Sequence, residues 1–173
     1  FACWLSACAL LPRTFVSIPW PEKVDYLEAL CELDMVWKGM KHSGSVSLKM
    51  EYPKGFLMEL YGSFGETLVY IKKDGDRFLL LTAEEKIDNE KRFEEKYGIK
   101  IEEFIDDLAM RGNKITESGT TYVQRGDYKV IYRLNERANT ICWVGRAGRI
   151  CLKFIEATFN KGETIGKGST GEM

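Results

Sequence analysis

The sequence predicts a mainly β protein with some helix (α+β): a strongly curved antiparallel sheet with helices covering its concave, apolar face. Three observations lead there. Residues 45–82 and 119–156 contain runs that alternate apolar and polar side chains, the period of two of a half-buried strand. Short turn signals separate those runs, the strongest being Asp74-Gly75. Two other segments, 22–38 and 101–110, carry apolar residues at helical spacing, one-sided stripes that need a surface to lie on. A curved sheet with helices on its concave side buries all these faces together.

The first element is uncharged. Phe1 to Pro12 is apolar and small, and Leu5-Ser6-Ala7-Cys8 fits the bacterial lipobox: an aliphatic residue, two small ones, then the Cys that receives lipid. Residues 1–7 are therefore expected to be the remnant of a signal peptide, with Cys8 the lipidated N-terminus; the alternative is a buried N-terminal strand with an ordinary core Cys. Each buried acyl CH₂ contributes ~0.8 kcal/mol, so a three-chain anchor is effectively permanent. Residues 8–21 include three Pro and read as an extended tether. Residues 22–160 form the folded domain, and 161–173 a Gly-rich tail.

Pro21-Glu22 reads as a helix start, and Val24, Leu27, Leu30 and Cys31 recur at helical spacing, predicting a helix over 22–38 that ends at Gly39. His42 then falls in a solvated polar turn. Residues 45–52 place Val46, Leu48, Met50 and Tyr52 on one face of a strand. Strands over 56–61, 66–72 and 77–82 continue the meander. Residues 84–97 form a charged helical segment stopped by Gly98, and 101–110 a helix with Ile101, Phe104, Ile105 and Leu108 on one side. Four strands follow, over 119–125, 128–135, 139–145 and 148–156.

Composition excludes several classes. Lys and Arg total 25 against 26 Asp and Glu, and this balance lacks the clustered basic surface that nucleic-acid binding requires. No run approaches the ~18–20 apolar residues of a membrane-spanning helix. The five Cys contain no CxxC pair, which argues against a zinc ribbon. Cys142 and Cys151 lie on neighbouring strands and could pair, but free buried thiols are the default expectation. Gly166-Lys167-Gly168-Ser169-Thr170-Gly171 fits G-x-G-x-x-G, yet the helix that fingerprint requires does not follow. The carboxylates of 84–107 read as a solvated helix face. With one histidine and no G-x-S-x-G elbow, neither metal nor nucleophilic catalysis is expected. No cofactor is expected beyond covalent lipid on Cys8.

Two features suggest contact with something greasy. The helices either pack down on the sheet as an ordinary core or roof an apolar cavity. The turn Gly62-Ser63-Phe64-Gly65 is tight and bare, so Phe64 is either held out in solvent or folded back on the sheet.

The order of these motifs resembles a known family. Tyr52-Pro53-Lys54-Gly55, then Phe56 to Tyr61, Gly62-Ser63-Phe64-Gly65, Glu66 to Ile71, Asp74-Gly75-Asp76 and Glu95 to Asn113 follow one another as in LolB-type outer-membrane lipoproteins. Residues 119–156 continue the likeness. Ser63 and Lys100 stand where that family more often has Pro. The resemblance implies a half-open, strongly twisted antiparallel β-barrel whose helical lid covers an apolar cavity. It further implies a monomer on the periplasmic face of the bacterial outer membrane, taking the acyl chains of lipoproteins from a LolA-type periplasmic carrier. Gly62 to Gly65 would be the membrane-insertion loop with Phe64 at its tip, and Ala9 after Cys8 suits outer-membrane sorting. Candidate cavity and lid side chains are Leu27 and Leu30, then Val46, Leu48 and Met50, then Phe104, Ile105 and Leu108. Tyr132, Leu152 and Phe154 complete the set from the later strands. A non-catalytic scaffolding lipoprotein with a filled core is the alternative, and an envelope enzyme a remote third.

Overall fold

The computed structural model describes residues 18–135 and 138–160. The expected lipidation site Cys8, most of the tether and the tail 161–173 lie outside the described residues. Strands β1 (Tyr26–Trp37), β2 (Met40–Glu51), β3 (Gly55–Tyr61), β4 (Thr67–Asp74), β5 (Arg77–Thr82) and β6 (Lys86–Ile87) come first. Helices α1 (Glu90–Tyr97) and α2 (Ile101–Leu108) follow. Strands β7 (Lys114–Glu117), β8 (Thr120–Arg125), β9 (Tyr128–Asn135), β10 (Ala138–Gly145) and β11 (Gly148–Phe159) complete the chain.

All eleven strands form one antiparallel sheet in the order β6-β5-β4-β3-β2-β1-β11-β10-β9-β8-β7. The sheet is two meanders joined where β1 pairs with β11, and it does not close into a barrel. The connection between its two edges is the helical segment, which therefore packs against the sheet as a cover. This is the half-open, twisted architecture that the sequence predicts.

The largest correction is β1. Residues 22–38 were expected to be helical, but 26–37 form the central strand. Leu27, Ala29, Cys31 and Leu33 point inward, while Glu28, Leu30, Glu32 and Asp34 point out. Glu32 meets Lys153 at 3.1 Å and Asp34 meets Arg149 at 2.6 Å, both across the pairing with β11. The helical spacing arose because Leu30, 42% exposed, is an apolar side chain on the outer face. Residues 84–89 are likewise not helical: Lys86 and Ile87 pair with β5, and α1 begins after Asn89, whose side chain accepts the Arg92 N–H at 3.1 Å. Strands β6 and β7 carry no alternation and were not expected.

Cys142 and Cys151 sit directly opposite each other on β10 and β11 and form a disulfide, which corrects the expectation of free thiols. Cys31 is a free, buried thiol, and burial pushes its pKa up to about 12. Ile18 and Trp20, assigned to the tether, pack on the domain: the Trp20 ring lies 4.8 Å from Phe154 and 4.9 Å from Phe159.

Candidate functional site: an apolar cavity and an exposed aromatic turn

The two helices meet the sheet differently. On α2, Phe104 stacks on Trp143 of β10 at 4.4 Å. Asp107, fully buried, accepts Arg125 Nη2 at 2.7 Å and Trp143 Nε1 at 3.0 Å, and its backbone carbonyl accepts the Tyr132 hydroxyl at 3.1 Å. These bonds seat α2 on β8, β9 and β10. Burial raises the Asp107 carboxyl to about 6, with Arg125 and the Trp143 N–H opposing the shift.

By contrast, α1 has one buried residue, Phe93, packed against Phe78 at 5.2 Å. Polar contacts hold its ends. Trp37 Nε1 donates to the Tyr97 carbonyl at 2.7 Å, and Lys38 Nζ to the Lys96 carbonyl at 2.7 Å. Lys96 pairs with Glu85, which also accepts the Tyr97 hydroxyl at 2.8 Å. Lys96, together with Tyr97, holds the Glu85 carboxyl below the usual carboxylate range. At the other end Glu90 pairs with Lys73, a buried lysine on β4.

A helix tied at its ends leaves space beneath its middle. A cavity of about 470 Å³ lies between α1, with the first turn of α2, and the concave face of β1 to β5 and β11. Its walls are apolar, among them Leu33, Met35, Met58, Leu60, Ile71 and Leu80. Thr82, Glu84, Glu85, Lys96 and His42 add polar groups to the lining. His42 is thus not in a solvated turn: it lies within β2 and lines the cavity, because β1 is a strand and the hairpin begins at Lys38-Gly39.

Of the sequence candidates, Phe104 and Leu152 line this cavity. Leu27, Val46, Leu48 and Met50 are buried in the sheet's packed core. So are Ile105, Leu108 and Tyr132, where α2 packs, and Phe154, against Trp20. Leu30 is the correction here, since it faces outward from β1. Met35, Met58, Ile71, Leu80 and Phe93 were missed. Met35 was assigned to a helix; the strand or helix positions of the others were visible, but which inward side chains border a void depends on where the helices rest.

The turn between β3 and β4 is firmly made. Gly62 N–H donates to the Glu66 carbonyl at 2.8 Å, Gly65 N–H to the Gly62 carbonyl at 3.1 Å, and Phe64 N–H to Glu66 Oε2 at 3.0 Å. Gly65 adopts φ +81°, a conformation that favours glycine, and a Cβ on Gly62 would press on the Glu66 carboxylate that accepts the Phe64 N–H. The Phe64 side chain is 96% exposed. Following the antiparallel register, this turn leaves the sheet at the same end as the β1–β2 turn and the β5–β6 connection. That is the end where Glu84, Glu85 and Lys96 border the cavity.

Among the described residues no group of three or more His, Cys, Asp or Glu is placed to hold a metal ion, and no helix is long and apolar enough to cross a membrane. No protein-family model matches the chain, and no curated protein matches it. The open, twisted antiparallel sheet with its helices is consistent with the general LolA/LolB-like fold. That shape is also consistent with a groove-type lipid-binding or chaperone fold.

Proposed function

We propose that this domain is a non-catalytic, membrane-anchored lipoprotein receptor. It takes acyl chains into the cavity under α1, receives them from a LolA-type periplasmic carrier, and helps insert the cargo into the outer membrane. Cys8 carries the lipid anchor, and Phe64 dips into the bilayer. The observation that carries this reading is the apolar cavity of about 470 Å³, within the ~300–1,000 Å³ of ligand sites. Its polar groups suit an acyl chain whose carbonyl end stays near water. The resemblance of residues 45–113 and 119–156 to LolB-type lipoproteins supports the same assignment, as does an aromatic side chain presented in solvent by a bonded turn.

Titrating the Cys8→Ser chain with fluorescent fatty acids of increasing length tests it. Apolar burial gives ~0.8 kcal/mol per CH₂, so affinity should rise about fourfold per methylene until the cavity is full and should barely change with salt. Absence of saturable binding would leave the scaffolding alternative.

A further inference from the structure

We propose that Met35, Met40 and His42 form a binding site for a soft monovalent metal ion, Cu(I) or Ag(I). The β1–β2 hairpin pairs Met35 directly with His42 and Trp37 directly with Met40. All four side chains line the cavity. Directly opposed strand residues have Cβ atoms ~4.5–5.5 Å apart and diagonal ones ~7–8 Å. Residues two apart on a strand are separated by ~6.6 Å. A methionine has three rotatable bonds and a polarizable sulfur, so two thioethers and one imidazole nitrogen can converge on a single ion over this face.

The donor set chooses the metal. Thioethers are soft ligands that select Cu(I), and imidazole suits copper as well, whereas hard divalent ions need carboxylate oxygens. The acids of this hairpin, Glu28, Glu32, Asp34 and Glu51, are turned to the outer face, where Glu32 and Asp34 pair with Lys153 and Arg149. His42 is the one histidine of the chain, and no ion pair, hydrogen bond or ring contact engages it among the described residues. Trp37, 2% exposed, walls the site with an aromatic ring, and its N–H is committed to the Tyr97 carbonyl. An aromatic ring beside a desolvated cation is favourable. Glu84 lines the same cavity and adds negative charge, while Glu85 is paired with Lys96. The ion binds in the oxidation state in which it arrives, with no redox step. The site stands independently of the acyl-chain reading.

The test uses the full chain with Cys3, Cys8 and Cys31 replaced by Ala, which removes the thiols that would compete. Ag(I), a redox-inert probe, is titrated in nitrate buffer and followed by calorimetry and by methionine-methyl NMR. One equivalent should bind, shifting the Met35 and Met40 methyl signals but not those of Met50 and Met110. Met35→Leu/Met40→Leu, nearly isosteric, should weaken binding about tenfold or more with an unchanged melting midpoint, and His42→Ala should do the same. Absence of stoichiometric binding, or binding undiminished in the Leu/Leu variant, overturns the site. Should Cys31→Ala impair folding, the methyl shifts are read in the chain with its thiols intact. There, silver is added beyond the amount the thiols take up, and Met35 and Met40 signals that stay unmoved once the thiols are filled also overturn it.

Discussion

Two residues place opposite demands on the molecule. Asp107 is buried and joins α2 to Arg125 and Trp143. Its carboxyl is raised to about 6, against ~3.9 in an unfolded chain. The folded state therefore keeps a proton that the unfolded state has lost. The stability this provides is complete below about pH 4 and is lost as pH rises through about 6. Melting midpoints measured from pH 4 to 7 should fall with pH across that window, and Asp107→Asn should flatten the slope. An identical slope in the variant would assign it to another group. Removing the side chain altogether, as Asp107→Ala, should cost about 3–5 kcal/mol, because the Arg125 charge and Trp143 N–H lose their partner. Phe64 is the converse case. Its side chain touches almost nothing, so Phe64→Glu should change stability by less than about 0.5 kcal/mol. Under the receptor reading it should leave acyl binding intact and slow delivery into liposomes. A loss of several kcal/mol would mean that Phe64 is core.

Among the elements, β2 to β5 and β8 to β11 were legible because turn signals separate short apolar-rich runs, with clean alternation over residues 45–52 and along β11. Strand β1 was not, and the reason is Leu30. An apolar residue on the outer face places Leu27, Leu30 and Cys31 at i, i+3 and i+4, the spacing of a helix stripe. That error displaced His42 into a turn and concealed that Met35, Met40 and His42 share one face of the hairpin. The disulfide was hidden differently: pairing of Cys142 with Cys151 depends on register, which spacing alone does not fix. The glycines around Phe64 marked a turn, but its pose stayed open between solvent and sheet until the structure showed the side chain exposed. The cavity was not, because it depends on α1 being held at its ends by Lys73, Glu85, Trp37 and Lys38. The strand assignment makes a sharp prediction. Leu30→Glu should cost less than about 1 kcal/mol, whereas Leu33→Glu, at a position 7% exposed, should cost at least about 3 kcal/mol. A helix with Leu30 on its buried stripe would make Leu30→Glu the damaging change. Urea denaturation of the two variants decides between them.

At the scale of the whole molecule, the question of filled core or open cavity divides the protein in two. Where α2 lies, rings stack, a buried ion pair is satisfied and side chains fill the space. Beneath α1 the same concave face stays apolar but unfilled. Stability and ligand capacity should accordingly separate by location. Met58 lines the cavity and is only partly buried, so Met58→Trp adds volume where there is room for it. It should change stability by no more than about 1 kcal/mol, while weakening fatty-acid binding about tenfold and shortening the longest chain accepted. Ala29 is buried on the inner face of β1 away from the cavity, so Ala29→Trp should overpack, costing about 1–3 kcal/mol or more. Measuring melting and acyl binding for both variants tests the division directly. If Met58→Trp destabilises as much as Ala29→Trp, the space under α1 collapses in solution, and the domain has a continuous core with no room for a chain.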